Sequence, residues 1–229
     1  MNQEDLKKEV TREIDFFEKF DPQVTADIDA IHVFSGPGTF LTPLKERDED
    51  WMAWFDQARL SKGILLVLQV TSLRTNKPLH KIAKEDIEKA GPYLIYNGIP
   101  IENKVFRSCI NLPDFPIPQS KIIIADEIEE NGTKRPIKHT GDQVATFPTH
   151  LLGNEIKGSI ALVSNAPHFI RILRYLTRYK TIPEHFSIIP FPIASRPDWA
   201  KKATDHAVQK LFAYLALGYL SEKPTKFEF

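Results

Sequence analysis

The chain of 229 residues is poor in the features that mark several specialised protein classes, and each scarcity excludes one of them. A single cysteine, Cys109, excludes an internal disulfide framework. Its apolar neighbours predict a small buried residue on a helix rather than a nucleophile. No uninterrupted apolar run approaches the roughly 18 residues of a membrane-spanning helix, so no membrane span is expected. The charged N-terminus lacks the apolar core of a signal peptide, which predicts a cytoplasmic protein.

The chain also lacks a surplus of charge of either sign, because 30 lysines and arginines balance 30 acidic residues. Nucleic-acid binding normally depends on a basic surplus or patch, so no nucleic-acid partner is predicted. Hydrophobic residues make up 42% of the chain, which is enough for one sizeable core. We therefore predict a single α/β domain over residues 1–229.

Short apolar runs alternate with amphipathic segments along the chain. Five core strands are predicted at 30–34, 93–96, 121–124, 160–163 and 187–192, the last at a sheet edge because it contains prolines. Helices are predicted at 4–20, 48–73 (with 64–70 as an alternative strand), 84–90, 102–112, after a cap at Thr140, after 165, and at 198–220. This alternation predicts a three-layer α/β/α sandwich, Rossmann-like, whose core at about 27–195 has a mainly parallel sheet of about five strands. In the common strand order 3-2-1-4-5, the first and fourth strands are neighbours.

The fourth strand leads directly into a helix, and polar residues stand at the junction. Ser164 and Asn165 fall at the turn, and His168 and Arg171 follow within the first turns of the helix. In an open α/β sheet such a turn lies at the carboxyl ends of the strands, where ligands bind. The free N–H groups of the helix start favour an anion there. The alternative is that Asn165 only caps the helix, His168 lies at the surface, and the arginines form a solvated face.

Glycines follow two other strands. Ser35, Gly36 and Gly38 come after the first strand, where glycines allow the backbone to turn tightly and approach a ligand. The run matches only the first half of the dinucleotide-binding pattern, so a plain Pro-Gly turn is an equal alternative. Asn97 and Gly98 follow the second strand, where an ordinary Asn-Gly turn is the alternative. If the strand order holds, the first glycine loop and the helix start after the fourth strand meet at one gap, which predicts a ligand site.

Two further features remain open on sequence grounds. Residues 126–139 are strongly charged around Asn131-Gly132, a pair typical of a two-residue β-hairpin turn. A solvated face is a better interpretation of its acidic residues than a cation site, and no metal ligand is assigned. Asp56 and Arg59 lie within an apolar helix, where they either pair with each other or face the site.

Taken in order, several segments resemble the YdcF/SanA/ElyC family of bacterial proteins, most closely its soluble YdcF-like branch. The segments are FSGPG, YLIYNG, PIPQSKIII, TGDQ and VSNAPHFIR, and the resemblance covers about residues 27–195. The family pattern has a glycine-rich first loop, a Thr-x-Glu-Asn-like segment and a Thr-Ser-x-x-His-x-x-Arg-like segment. The matching positions are Gly36 and Gly38 for the loop, Thr140, Asp142 and Gln143 for the second segment, and Ser164, His168 and Arg171 for the third.

The resemblance implies a ligand site at the strand ends, with S-adenosylmethionine, which one branch of the family binds, as the candidate cofactor. In that site Asp142 would accept hydrogen bonds from ribose hydroxyls or an amino group, and Arg171 would hold a carboxylate or phosphate. His168 would act as a general acid/base or as a hydrogen-bond donor. Asp142 and Gln143 depart from the Glu and Asn of the family.

Two rival functions stay open. The first is an enzyme acting on a phosphorylated sugar or lipid-carrier substrate, with His168 and Arg171 as catalytic candidates and Ser35 or Ser164 as candidate nucleophiles. The second is a non-catalytic interaction domain with a vestigial ligand site.

Overall fold

The computed structural model describes residues 3–35, 51–147, 153, 156–180, 182 and 186–221, and for residue 3 and residues 51–56 it describes the backbone alone. The helices used below are α1 (Gln3–Phe17), α2 (Trp51–Thr75), α3 (Lys84–Ala90), α4 (Pro100–Ile110), α5 (Thr140–Ala145), α6 (Ala166–Tyr179) and α7 (Ala200–Ala216). The strands are β1 (Ile28–Phe34), β2 (Tyr93–Asn97), β3 (Ile122–Ile124), β4 (Glu127–Glu130), β5 (Thr133–Pro136), β6 (Ser159–Asn165) and β7 (Ile188–Ile193).

Five of these strands form one parallel sheet in the order β3-β2-β1-β6-β7. When only these five core strands are numbered along the chain, the order is the predicted 3-2-1-4-5. The α/β fold with a Rossmann-like, three-layer arrangement is therefore confirmed. The proline-containing β7 lies at the edge, where missing backbone donors are tolerated. From β1 the chain adds β2 and β3 on one side and then returns to add β6 and β7 on the other, so the strand order reverses between β1 and β6. This switch point is where ligands bind in such sheets.

The sheet separates two hydrophobic cores, so the fold has three layers: helices, the sheet, and helices again. Alternate residues of β1 point to opposite faces, because side chains of a strand alternate. Ala30 and Phe34 join the core formed with α1, α6 and α7. Ile31 and Val33 join the core formed with α2, α3 and α4. The helices on both faces therefore hold the carboxyl ends of β1 and β6 in fixed positions.

One predicted alternative, one predicted cap and one predicted burial state need correction. Residues 64–70 belong to the continuous helix α2, so the strand alternative was wrong. A Cβ atom at Gly63 would lie 2.5 Å from Val33 Cγ2, and the missing side chain lets α2 pack closely on β1. Thr140 is the first residue of α5 and His139 its N-cap, which corrects the predicted cap. Cys109 lies on α4 as predicted but is half-buried rather than buried.

The charged segment forms the predicted hairpin. Strands β4 and β5 pair in antiparallel fashion. The two turn residues, Asn131 and Gly132, have φ angles of 52° and 74°, the left-handed conformation that an Asn-Gly turn supplies. The hairpin places Lys138 and His139 just before α5, beside the strand ends.

Two further findings concern the helices. Arg174 on α6 is fully buried, so the interpretation of the arginines of this helix as a solvated face was wrong for this residue. Across the described residues, no helix combines the length and the apolar character that crossing a bilayer demands.

Candidate functional site

A cavity of about 270 Å³ opens at the carboxyl ends of β1 and β6, the predicted position. The described residues that line it come from six parts of the chain. They are Ser35, Arg59, Ile99, Glu102, Lys138, His139, Thr140, Gln143, Asn165, His168, Arg171, Ala203, His206, Ala207, Lys210 and Tyr214. The cavity thus contains six of the predicted site residues, namely Ser35, Thr140, Gln143, Asn165, His168 and Arg171.

Arg59 spans the switch point beneath this cavity. Its Nη1 donates to the backbone oxygen of Phe34, at the end of β1, over 3.1 Å. Its Nη2 donates to Oδ1 of Asn165, at the junction of β6 and α6. The side chain is only 6% exposed. Arg59 therefore faces the site, one of the two uses that the sequence left open for it. The pairing of Arg59 with Asp56 stays a prediction, because the Asp56 side chain lies outside the described residues.

A chain of three side chains leads from the cavity into the protein. His168 Nε2 lies 2.9 Å from the hydroxyl oxygen of Thr140, which lines the cavity. His168 Nδ1 lies 2.9 Å from the hydroxyl oxygen of Ser164, which is fully buried. Both ring nitrogens are therefore occupied, and the ring orientation is fixed from both sides. The alternative of a surface His168 is wrong, since the residue is buried.

Burial and neighbouring cations decide the protonation states of this site. Burial, together with the charges of Arg171, Arg59 and His206, lowers the pKa of His168 well below its usual range. The imidazole is consequently neutral at neutral pH. Burial also lowers the pKa of Arg171 to about 10, so the guanidinium keeps its charge. Its Nε atom is buried and makes no hydrogen bond within the described part of the chain.

A second polar group surrounds Ser35. The hydroxyl oxygen of Ser35 lies 2.6 Å from Oε2 of Glu102 and accepts from Nε2 of Gln143 over 3.0 Å. Glu102 also accepts from the backbone N–H of Ile99 over 3.1 Å, at the start of α4. Glu102 stands at the third position of α4, where a Glu side chain reaches back to the backbone N–H of the N-cap residue, and this signal was missed.

Helix α7 forms a wall of the cavity that the sequence analysis did not assign. His206, Lys210 and Tyr214 follow one another at intervals of four residues and so share a face with Ala203 and Ala207. Ala203 and Ala207 are buried. The sequence signal for this wall was the four-residue spacing of His206, Lys210 and Tyr214 on the helix face that also carries Ala203 and Ala207.

Three predicted site residues serve the scaffold instead of the cavity lining. The Asn97 side chain is fully buried, donates to Thr146 Oγ1 over 2.8 Å and accepts from the backbone N–H of Ala125 over 3.2 Å. At Gly98 a Cβ atom would lie 2.7 Å from Glu102 Oε2, so this glycine makes room for Glu102 rather than for a ligand. Ser164 stands behind His168, as described above.

Asp142 is a fourth predicted site residue held away from the cavity lining. Both its carboxylate oxygens accept from Arg135 of the hairpin, each over 2.8 Å. One of them also accepts from the backbone N–H of Lys138 over 2.8 Å. Burial alone would raise the pKa of Asp142, but these hydrogen bonds outweigh it and lower the pKa. The expected contact of Asp142 with a ribose is replaced by an ion pair that attaches the hairpin to α5.

The glycine loop after β1 was also predicted to contact the ligand. Gly36 and Gly38 lie outside the described residues, so their predicted contact with a ligand stays a prediction. Ser35, which directly precedes them, lines the same cavity as His168. Among the described residues, no group of three or more His, Cys, Asp or Glu side chains is arranged to hold a metal ion.

The described lining carries a strong excess of positive charge. Its basic side chains are Arg59, Lys138, Arg171 and Lys210, and Glu102 is the carboxylate among these lining residues. Because the whole chain is balanced in charge, this excess is local.

We compared the chain with models of known protein families, with curated proteins and with solved structures, and none of the three comparisons gives a match. The geometry therefore defines the class, a Rossmann-like α/β protein with a cationic cavity at its switch point. The resemblance to the YdcF-like family stays a prediction.

Proposed function

We propose that this protein binds a small anionic molecule that carries a phosphate group, in the cavity at the ends of β1 and β6. The observation that carries the proposal is the convergence of four basic side chains from separate parts of the chain. Arg59 comes from α2, Lys138 from the segment before α5, Arg171 from α6 and Lys210 from α7. Cations brought together in this way repel one another, and an anion between them removes the repulsion. Guanidinium groups also suit phosphate through paired hydrogen bonds.

S-adenosylmethionine fits this charge distribution less well. The molecule is a net cation, because its sulfonium and ammonium groups outweigh its carboxylate. Asp142, which was expected to bind its ribose, is occupied by Arg135. S-adenosylmethionine stays a prediction of the family resemblance, and it is tested in the same experiment.

The test compares the thermal stability of the protein with adenosine monophosphate, glucose 6-phosphate and S-adenosylmethionine at millimolar concentration. A ligand at one hundred times its Kd stabilises the native state by about 2.7 kcal/mol. In a protein of this size, each kcal/mol raises the Tm by about 2–4 °C. We expect such a rise with at least one phosphate compound, and loss of the rise in Arg171→Gln.

The matched control is Arg178→Gln, which removes an exposed arginine from the same helix outside the cavity. It should keep the full ligand-induced rise in Tm. No rise with either phosphate compound, or an equal rise in both variants, would contradict the proposal. A rise with S-adenosylmethionine alone would favour the family prediction instead.

An enzyme acting on a phosphorylated substrate is a second candidate, which the Thr140–His168–Ser164 chain favours. A hydroxyl within hydrogen-bond reach of a base, whose other side is fixed by a third group, is the arrangement of an activated hydroxyl. A neutral His168 can accept a proton through Nε2 from Thr140 or from a water in its place. Arg171 would then stabilise the charge on the phosphoryl oxygens.

This candidate predicts measurable hydrolysis of p-nitrophenyl phosphate, followed through release of p-nitrophenolate. His168→Asn should reduce kcat/KM by about 100- to 10,000-fold, the usual contribution of a general base. Since the pKa of His168 is lowered, its basic form persists below pH 6.5, and the acid limb of the pH profile should fall below that value. His80→Asn, which changes an exposed histidine outside the cavity, is the control. An acid limb above pH 6.5, or full activity in His168→Asn, would rule out this role.

A further inference from the structure

We propose that α7 supplies a subsite for the dianionic end of a phosphate monoester, in which His206 and Lys210 act together with Arg171 and His206 takes up a proton when the ligand binds. This inference rests on the proposed function and adds the charge state of the ligand. It assigns a role to a helix that lies beyond the part of the chain covered by the family resemblance.

The geometry of α7 supports the subsite. His206 and Lys210 are one helical turn apart, so both point towards the same side of the helix. The lining alanines between and before them, Ala203 and Ala207, are small enough to bring the helix backbone close to the cavity. The same helix is fixed to the hydrophobic core through Val208 and Leu211. Its polar face is therefore held rigidly against the cavity.

The charged groups around His206 also support the subsite. Burial lowers the pKa of His206, and the charges of Arg171 on α6 and Lys210 on α7 lower it further. Among the described residues that line the cavity, the other titratable or charged groups are His168, Arg59, Tyr214, His139, Lys138 and Glu102. Of these, the carboxylate of Glu102 accepts a hydrogen bond from Ser35. The positive charges of Arg171 and Lys210 therefore oppose protonation of His206.

A bound dianion reverses this balance. Two negative charges between Arg171 and Lys210 favour the protonated form of His206, so its pKa rises on binding. A group whose pKa rises on binding takes up protons, and the affinity then falls as pH increases through the titration of His206. A phosphate monoester is mostly dianionic at neutral pH because its second pKa is about 6. A carboxylate, with a single charge, would produce a smaller effect.

The experiment uses inorganic sulfate, because this ion stays dianionic over the whole range in which histidine titrates. Titration calorimetry at low ionic strength compares affinities between about pH 5 and pH 8. We expect the affinity of the wild-type protein to fall by about tenfold or more over this range, which corresponds to roughly one unit of pKa rise on binding. Two buffers of different ionisation enthalpy should reveal the uptake of protons at low to neutral pH.

The variants separate the roles of the two residues. His206→Gln should bind sulfate with an affinity that no longer depends on pH. Lys210→Met should weaken binding at every pH but keep the pH dependence. Lys201→Met removes an exposed lysine of α7 that does not line the cavity, and should behave as wild type.

The outcomes distinguish this inference from the proposed function. If phosphate compounds bind and need Arg171, but His206→Gln leaves the pH dependence of sulfate binding unchanged, the subsite is refuted and the proposed function stands. The same holds if His139→Gln, and not His206→Gln, removes the pH dependence. If neither sulfate nor a phosphate compound binds, both proposals fail together.

Discussion

Arg59→Met is expected to reduce the affinity for phosphate monoesters by about 30-fold or more, because truncating a buried, hydrogen-bonded charge in a binding site costs about 2–5 kcal/mol. Arg59 is the most deeply buried of the four basic lining residues and bonds to both sides of the switch point. Water cannot replace its charge at that depth. A basic residue at the cavity mouth, such as Lys138, should have a weaker effect, because its charge is screened.

The loss of affinity must be separated from a loss of structure. Arg59→Lys keeps the positive charge but cannot reach Phe34 and Asn165 with two nitrogens of one planar group, and its affinity should fall between those of wild type and Arg59→Met. Lys62→Met, which removes a cation from the same helix outside the cavity, should bind normally. Affinity is measured by titration calorimetry, and native structure by circular dichroism. A folded Arg59→Met protein with wild-type affinity would place the anion elsewhere.

The strand order and the position of the cavity were predictable because both follow from local patterns. Buried apolar runs alternating with helices leave few topologies once crossovers are right-handed. The Asn131-Gly132 turn was equally predictable, because a left-handed turn in a hairpin requires those residue types. These elements depend on each residue and its near neighbours in sequence.

The assignment of individual polar side chains was less successful, for a physical reason. Asp142 and Gly98 have residue types that suit a ligand site, and both stand beside one. Yet Arg135 reaches Asp142 from a hairpin, and Glu102 fills the space beside Gly98. Which partner satisfies a polar group is decided in three dimensions, so residue type alone does not tell a ligand contact from a structural one.

Residues that the sequence did not assign to the site show the converse. His206 and Lys210 were missed and Arg59 was left open, because the sequences of their helices indicate only amphipathic packing. They reach the cavity because α2 and α7 pack on opposite faces of the sheet and both extend to its carboxyl edge. The positive charge of the site is therefore a property of the tertiary fold, assembled from segments that are unremarkable in isolation.

Glu13→Leu should lower the free energy of unfolding by about 3–5 kcal/mol, the largest stability effect we expect in this protein, because it leaves a buried arginine without its counter-ion. Arg174 on α6 has no exposed surface, and its two terminal nitrogens donate to the carboxylate of Glu13 on α1 over 2.7 and 3.1 Å. Its Nη1 also donates to the backbone oxygen of Ile170 over 2.9 Å. This ion pair joins α1 to the helix that carries His168 and Arg171.

Arg174→Met should be less costly than Glu13→Leu, because the side chain of Glu13 is 20% exposed and water can solvate it when its partner is lost. The double variant should recover most of the loss, since an apolar pair can replace a buried ion pair at little cost. Urea denaturation of the wild type, both single variants and the double variant gives the coupling between the two sites. Asp15→Leu on the exposed side of α1 is the control, and we expect a change within about 0.5 kcal/mol. If Glu13→Leu is as mild as that control, α1 does not hold α6 through this pair, and the position of the cavity helix depends on apolar packing alone.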